Sequence, residues 1–341
     1  MKIAVLMSGG VDSTVAAALL QEQGCEVVGL TMRQMEDETV LTAARAAAEQ
    51  LGIPHHSIDL RDIFQQQVID YFCSAYAKGL TPNPCVACNR HIKFGALLEV
   101  ACSIGYEFIA TGHYVRNSYD PATRRWRLEQ GADFSKDQSY FLWSLEQQQL
   151  AAARFPLGAL SKAEVRQIAR ERGIMAADAP DSQEICFVES DYREFLHPRI
   201  DPPAGAMVDN SGRVIGTHQG LAWYTIGQRK GLGISAGRPL YVIELDPLLN
   251  RVVLGDNDEL YRTQVSAGNL NFIVPAAELR EGLIVEAKIR YSSHSSAAMI
   301  VKREADYLEL SFEQPQRAVT PGQSLVLYRG NEVLGGGIIS G

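Results

Sequence analysis

Two groups of residues in this chain have types and spacings that could do chemistry. The first is Ser8-Gly9-Gly10-Val11-Asp12-Ser13, set between the apolar run Lys2 to Met7 and the Ala- and Leu-rich stretch Val11 to Gln23. A strand that turns at once into a helix aims the helix's unpaired N–H groups and positive dipole end at whatever lies above the turn, which suits a phosphate. Gly9 and Gly10 carry no Cβ, so backbone can approach a ligand there or take a positive φ. The lysine of a Walker loop is missing, so the loop is not of the GKS/GKT type. Taken alone, it also reads as an ordinary strand-to-helix turn. The second group is the thiols. Cys85 and Cys88 form a C-x-x-C pair within Thr81-Pro82-Asn83-Pro84-Cys85-Val86-Ala87-Cys88-Asn89-Arg90, and Cys186 lies in Asp181 to Phe187. The prolines exclude helix before the cysteines and put Cys88 at the start of a helix beginning around His91. A helix N-terminus lowers a thiol pKa, and Arg90 and Lys93 add to that. The pair alone suggests half a zinc site or a redox pair, but no second pair completes four ligands. Cys25, Cys73 and Cys102 read as small hydrophobes on helix faces, and Cys186 by itself reads the same way.

The elements that position these groups change texture once. Up to about residue 190, apolar strands (Lys2 to Met7, Val27 to Met32, His56 to Leu60, Phe108 to Thr111) alternate with helices (Val11 to Gln23, Thr39 to Leu51, Arg61 to Lys78, Ile92 to Ser103). That alternation predicts a parallel sheet covered on both faces, with sites at the carboxyl ends of its strands. Ser161-Lys162-Ala163-Glu164 is a capping box opening a helix to Arg172, and Arg116 to Gln130 reads as a hairpin excursion. Beyond Asp201-Pro202-Pro203 the pattern turns to short strands. Ala206 to Asp209 with Val214 to Thr217, and Leu240 to Leu245 with Arg251 to Leu254, read as hairpins. Alternation at Val285 to Tyr291, Leu308 to Phe312 and Leu325 to Leu327 predicts a last, barrel-like module.

Composition bounds the rest. At 341 residues the chain has room for two or three domains, and 46% hydrophobic with 21% charged residues is ordinary for a globular protein. No apolar run is long enough for a membrane span or a signal peptide, so the expected place is the cytoplasm, with the cysteines as thiols. The net charge of −8 argues against a non-specific nucleic-acid binder while permitting local basic surfaces. Arg116, Arg124, Arg125 and Arg127 form one such cluster, balanced between a solvated face and a binding face. Arg229 and Lys230, in Tyr224 to Gly231, form another, read as a polar turn after a strand and suited to phosphates or to packing on the catalytic domain.

SGGVDS, the NPCVACN loop, ATGHY (Ala110 to Tyr114), KDQSYFL (Lys136 to Leu142), EICF (Glu184 to Phe187) and YTIGQRKGLGI (Tyr224 to Ile234) follow one another in this order. Together they resemble the tRNA-specific 2-thiouridylases, the MnmA/TrmU family, over almost the whole chain. The resemblance implies a doubly wound α/β catalytic domain of the N-type ATP pyrophosphatase (adenine nucleotide alpha hydrolase-like) kind over residues 1–198, a small central β domain over 199–262 and a C-terminal β-barrel over 263–341. It implies ATP binding by Leu6, Met7, Ser8, Gly9, Gly10, Val11, Asp12 and Ser13, with Met32 and Gly112 on the adenine side and Asp12 as the Mg²⁺ contact. Cys88 matches the nucleophile and Cys186 the cysteine that carries a persulfide. Asn83, Pro84 and Cys85 match residues facing the target base. His113, Lys136, Asp137, Gln138, Arg290, Tyr291 and Gln323 match tRNA contacts.

The implied activity is adenylation of the C2 oxygen of the wobble uridine, then sulfur transfer from the persulfide with release of AMP, leaving a transient Cys88–Cys186 disulfide. The implied partners are tRNAs for Glu, Gln and Lys and a persulfide donor such as a cysteine desulfurase or sulfur carrier, with no membrane. Cys85 adds a rival within that reading, since Cys85, Cys88 and Cys186 could instead ligate an iron–sulfur cluster. Other SGGxDS enzymes adenylate a substrate and admit a nitrogen nucleophile, which needs no catalytic thiols. A non-catalytic tRNA-binding sulfur-relay protein is a further alternative. Pyrophosphate release that depends on tRNA separates them.

Overall fold

The computed structural model describes residues 1–177, 185–188, 191–235 and 237–340. The apolar strands pair as a five-stranded parallel sheet in the order His55–Asp59, Glu26–Arg33, Lys2–Leu6, Phe108–Ala110, Ala153–Arg154. Alternation along the central strand sends Ile3 and Val5 to one face, against Ala17 and Leu20 of helix Val11–Glu22 and Ala44 and Ala48 of helix Thr39–Leu51. Ala4 faces the other way, with Val28, Leu30 and Ala101. Both faces are covered, so the strands read as continuous apolar runs. The chain leaves the central strand toward Glu26–Arg33 and later returns on its other side as Phe108–Ala110. That reversal opens a crevice at the carboxyl end of the strand Lys2–Leu6.

Two helices differ from expectation. The helix expected near His91 begins at Pro84, with Asn83 as its N-cap. Proline at the first helical position loses no hydrogen bond and has its φ already set, so Pro84 starts the helix that it was read as excluding. The helix then runs Pro84–Ala87, a π-helical stretch Cys88–Ala96, and Leu97–Ser103. The segment expected as one helix from Arg61 carries a π-helical turn of its own at Gln65–Ile69, between Arg61–Phe64 and Asp70–Ala77.

Beyond the parallel sheet, the hairpins Gly205–Asp209 with Val214–His218 and Tyr241–Asp246 with Arg251–Gly255 join through a parallel pairing of Arg251–Leu254 with Ala206–Asp209. Tyr224 follows a short 3₁₀ turn, Leu221–Trp223, and not a strand. The last module is a closed six-stranded barrel, in which Tyr261–Phe272 pairs with both Leu308–Arg317 and Glu332–Ile339. The excursion Val115–Asp120 with Arg125–Gln130 forms the expected hairpin and adds itself to that barrel, Leu128 opposite Val333 and Glu129 opposite Glu332. The like charges of that pair are offset by Arg125, which donates to Glu332 at 2.5 Å with both side chains nearly buried. Arg127 pairs with Asp120 and Arg116 donates to the Gln130 carbonyl, so three of the four hairpin arginines have partners within the protein. The barrel is fixed further by Trp143 Nε1 donating to Ser324 Oγ (2.9 Å) and Tyr140 OH to the Ser324 carbonyl (2.8 Å). Among the described residues, no helix is long and apolar enough to cross a membrane.

Candidate functional site

The Ser/Gly loop lies at the crevice. Leu6 ends the strand, and the Met7 N–H donates to the Leu30 carbonyl at 2.8 Å, holding the exit to the neighbouring strand. Gly9 has φ +76°, and a Cβ there would lie 2.6 Å from the Ala43 carbonyl carbon and 2.8 Å from the Ala44 nitrogen. Gly10 is extended at φ −78°, and as N-cap it places no side chain on the first-turn N–H groups of Val11–Glu22. Of the two glycines free to adopt it, Gly9 takes the positive φ and Gly10 does not. Ser13 Oγ accepts from the Ser8 N–H (3.2 Å) and donates to the Gly10 carbonyl (3.2 Å), which ties the loop across itself. Gly112, just past Phe108–Ala110, packs on that helix start, since a Cβ there would lie 2.8 Å from the Asp12 carbonyl carbon. Met32 is half-buried near the carboxyl end of its strand. The nucleotide candidates thus gather at one sheet edge.

The Asp12 carboxylate accepts from Tyr114 OH at 2.7 Å and from Lys162 Nζ at 2.8 Å on both oxygens. Sequence reading recognised Ser161 to Glu164 only as a capping box, which is present. The side chain of Lys162 leaves that box for a carboxylate 150 positions away, and no local pattern reports such a partner.

The thiols share a neighbourhood beside the same edge. Cys88 is buried and Cys186 exposed, and all six cysteines are free thiols. Cys186 accepts from Gln34 Nε2 at 3.4 Å, and Gln34 directly follows the strand that carries Met32. Phe187 anchors the segment by edge contacts with Phe64 and Phe72. Burial pushes the Cys88 thiol up to about 12, against a lowering by Lys93 and a further raising by Cys186 and Cys85. Burial raises Cys85 too, and the same Lys93 opposes it. The expected lowering at a helix N-terminus is overturned: Cys88 lies past the first turn and desolvation dominates. Lys93, five residues on in the same π-helical stretch, is close enough to oppose that rise. Arg90, also expected to help, pairs with Glu146 at 2.8 Å.

The remaining candidates separate. His113 lies between Phe94 and Phe155, its Nδ1 2.7 Å from Thr111 Oγ1, and burial pushes its pKa well below the ordinary range, so it is neutral. Asp137 is buried and its oxygens accept from Gly131 N–H, Gln130 and Ser139. It therefore shapes the Lys136–Gln138 turn rather than offering itself to a ligand. Gln138 accepts from the Tyr114 N–H at 3.0 Å, and Lys136 is half-buried beside it. Arg290 donates to the Arg317 carbonyl. Tyr291 is exposed and packs on Phe141 with centroids 4.6 Å apart, with Lys288 over its ring. Gln323 donates to the Thr81 carbonyl at 2.9 Å and so holds the approach to Asn83 and Pro84.

For metals, the loop offers a single carboxylate, Asp12, already engaged by Lys162 and Tyr114. Among the described residues, no three His, Cys, Asp or Glu side chains converge as a ligand set, Cys85, Cys88 and Cys186 included. No all-protein metal site is therefore present among the described residues, and Asp12 would hold Mg²⁺ only together with the phosphates of a nucleotide.

The fold and the loop define a class: a nucleotide-type α/β domain followed by two β modules. Comparison agrees with that division. The model of a tRNA methyl transferase HUP domain matches residues 1–190, that of a tRNA methyl transferase PRC-barrel domain residues 193–256, and that of an aminomethyltransferase beta-barrel domain residues 262–339. A protein of Syntrophomonas wolfei named tRNA-specific 2-thiouridylase MnmA is 50% identical over 339 residues, covering 99% of this chain and 100% of its own length. Those of Carboxydothermus hydrogenoformans and Clostridioides difficile, named likewise, are 45% and 44% identical, each covering 99% of this chain and 97% and 98% of their own lengths. The chain belongs to the tRNA-specific 2-thiouridylase MnmA family.

Proposed function

We propose that this protein uses ATP to replace the C2 oxygen of the wobble uridine of tRNA with sulfur, in the cytoplasm. The observation that carries the reading is that Cys186 shares one neighbourhood with Cys88 and Lys93, which lie almost a hundred positions earlier on a single helical stretch, beside the strand end that neighbours the Ser/Gly loop. Uracil oxygen is a poor leaving group, so it attacks the α-phosphate of ATP, forming an adenylate and releasing pyrophosphate. Leu6 to Ser13 cradle the phosphates with backbone N–H groups, and Met32 and Gly112 line the base side. Cys186, exposed, accepts a persulfide from a donor such as a cysteine desulfurase or sulfur carrier. Cys88 gives up its proton and attacks the inner sulfur, forming a Cys88–Cys186 disulfide and expelling hydrosulfide. The hydrosulfide adds at C2, and AMP leaves with the original oxygen. Two equivalents of an external thiol then reopen the disulfide.

A buried nucleophile requires the wobble base to leave its stack, at about a few kcal/mol. Asn83, Pro84 and Cys85 would face that base, with His113 next to it. Tyr291, Lys288 and Phe141 form a platform of the kind that supports unstacked bases, flanked by Lys136, Gln138, Arg290 and Gln323. tRNAs for Glu, Gln and Lys are the proposed substrates. Mg²⁺ is proposed to enter with the ATP. We favour the persulfide route over an iron–sulfur cluster because Cys186 stands exposed to a donor while Cys88 is buried and Cys85 half-buried.

The test is mass analysis of wobble nucleosides after incubating the protein with ATP, Mg²⁺, a persulfide donor and unmodified tRNA. Appearance of 2-thiouridine supports the reading. Pyrophosphate release without tRNA, or no thiolated nucleoside, refutes it.

A further inference from the structure

We propose that Lys162 is the cation that the phosphate loop itself lacks, a catalytic residue contacting the β- and γ-phosphates of ATP and the departing pyrophosphate. This rests on the reading that Ser8 to Ser13 bind ATP. Between Ser8 and Glu22 there is no lysine or arginine. The loop supplies backbone N–H groups and an uncapped helix start, and these alone face a polyphosphate of about four negative charges. The only charged side chain inside the loop is Asp12, which repels it. The structure brings Lys162 to this place from the helix Lys162–Glu171, which packs on Val11–Glu22 through Val165 and Ala169, with Nζ 2.8 Å from both Asp12 oxygens.

Three features make this more than an incidental ion pair. Asp12 Oδ1 already accepts Tyr114 OH and its side chain is one-third exposed, so it has no need of a lysine for satisfaction. The lysine is the more deeply placed partner, its side chain 11% exposed, which spends desolvation that a structural pair rarely recovers. The root of the side chain is also rigid. Ser161 and Glu164 close the capping box on either side of Lys162, and its own N–H donates to Asp133 at 3.1 Å. A pinned backbone and a flexible four-carbon stem let the ammonium swing from Asp12 to a phosphate oxygen without moving the helix. Asp12 holds the ammonium beside the phosphate loop.

Calorimetry on the full chain, with ATP, AMP and pyrophosphate each as the probe, tests the assignment beside tRNA-dependent pyrophosphate release. Lys162→Met should weaken ATP and pyrophosphate about 10- to 100-fold and AMP by less than about threefold, and lower kcat for pyrophosphate release about 100-fold, the scale of removing one charge-stabilising donor. Lys162→Arg should recover part of each loss. In Asp12→Asn/Lys162→Met the weak pyrophosphate binding should persist. Full recovery in that double variant, or equal losses for AMP and ATP, would show that Lys162 only neutralises Asp12 and overturn the proposal. In the wild-type protein, ATP and pyrophosphate should protect Lys162 from acylation, read by peptide mass spectrometry, and AMP should not. Equal protection by AMP overturns the proposal even if the variants fail to fold. Wild-type protein that binds no ATP would refute the reading of the loop itself, whereas normal wild-type binding with an unaffected Lys162→Met refutes only this assignment.

Discussion

Cys88 should be a slow thiol in the resting protein, and the size of the effect follows from its burial. Its pKa stands at about 12 against an ordinary 9.0. At pH 8 that displacement cuts the thiolate fraction about 1,000-fold, while a more basic thiolate is intrinsically more nucleophilic. With a Brønsted slope of about 0.4–0.5, the gain is about 16- to 32-fold, leaving a net slowing of about 30- to 60-fold before access is considered. Access adds to it, since Cys88 is only 7% exposed. Timed alkylation with iodoacetamide, followed by peptide mass spectrometry, measures this, with the exposed Cys186 as internal reference. The Cys88 rate should rise about tenfold per pH unit from pH 7 to 10 without a plateau, because the thiolate fraction keeps climbing until the pKa is reached. It should match free cysteine once the protein is unfolded in urea. Lys93→Met, which removes a charge that lowers this pKa, should slow labelling further. Labelling of folded Cys88 within threefold of free cysteine at pH 8 would refute the argument that burial, and not the helix start, sets its reactivity.

Three other outcomes are expected. Cys186→Ser should abolish thiolation by a persulfide donor and Cys88→Ser should abolish turnover, yet both should keep tRNA-dependent pyrophosphate release, because activating the uracil oxygen needs no thiol. Loss of that release in Cys88→Ser with tRNA binding intact would give Cys88 a structural role. Gly9→Ala should destabilise thermal unfolding by more than about 2 kcal/mol, as the left-handed φ costs about 1–2 and the added Cβ meets helix backbone, whereas Gly10→Ala, with only Ser8 Oγ nearby at 3.5 Å, should cost under about 1. Glu332→Ala strands a nearly buried Arg125 beneath the hairpin and should lose about 3–5 kcal/mol in urea unfolding, while Arg125→Met/Glu332→Leu should lose much less.

What the sequence discloses here is local chemistry and periodicity. The strand, turn and helix from Lys2 to Gln23, the capping box at Ser161 and the hairpin at Arg116 to Gln130 are each encoded within a few neighbouring residues, and each forms. Pro84 misleads because a proline is ambiguous by position: it breaks a helix interior but starts a first turn, and only the structure shows which. Addition of the hairpin to the barrel is invisible for another reason. Its register sets Glu129 against Glu332, a pairing that local rules disfavour, and the compensation comes from Arg125 through three-dimensional proximity. The pKa of Cys88 is likewise a property of what covers the helix and not of its residue neighbours.

The π-helical stretch Cys88–Ala96 joins these threads. Helical period in a sequence is read as 3.6, so an extra residue per turn leaves no mark in the apolar pattern. In an α-helix, residue 93 would be turned farther from Cys88 than in this wider winding. The wider turn carries Lys93 toward the thiol, and the same ammonium acts on Cys85 and His113. One cation thus faces two thiols and a neutral imidazole at the edge of the nucleotide crevice. A chemistry that must keep Cys88 protonated until a base and a persulfide are in place needs that combination: burial to hold the proton, and one positive charge to receive the thiolate when it forms. Restoring α-helical winding by deleting one residue from the stretch would keep the C-x-x-C motif intact and still remove the means of using it.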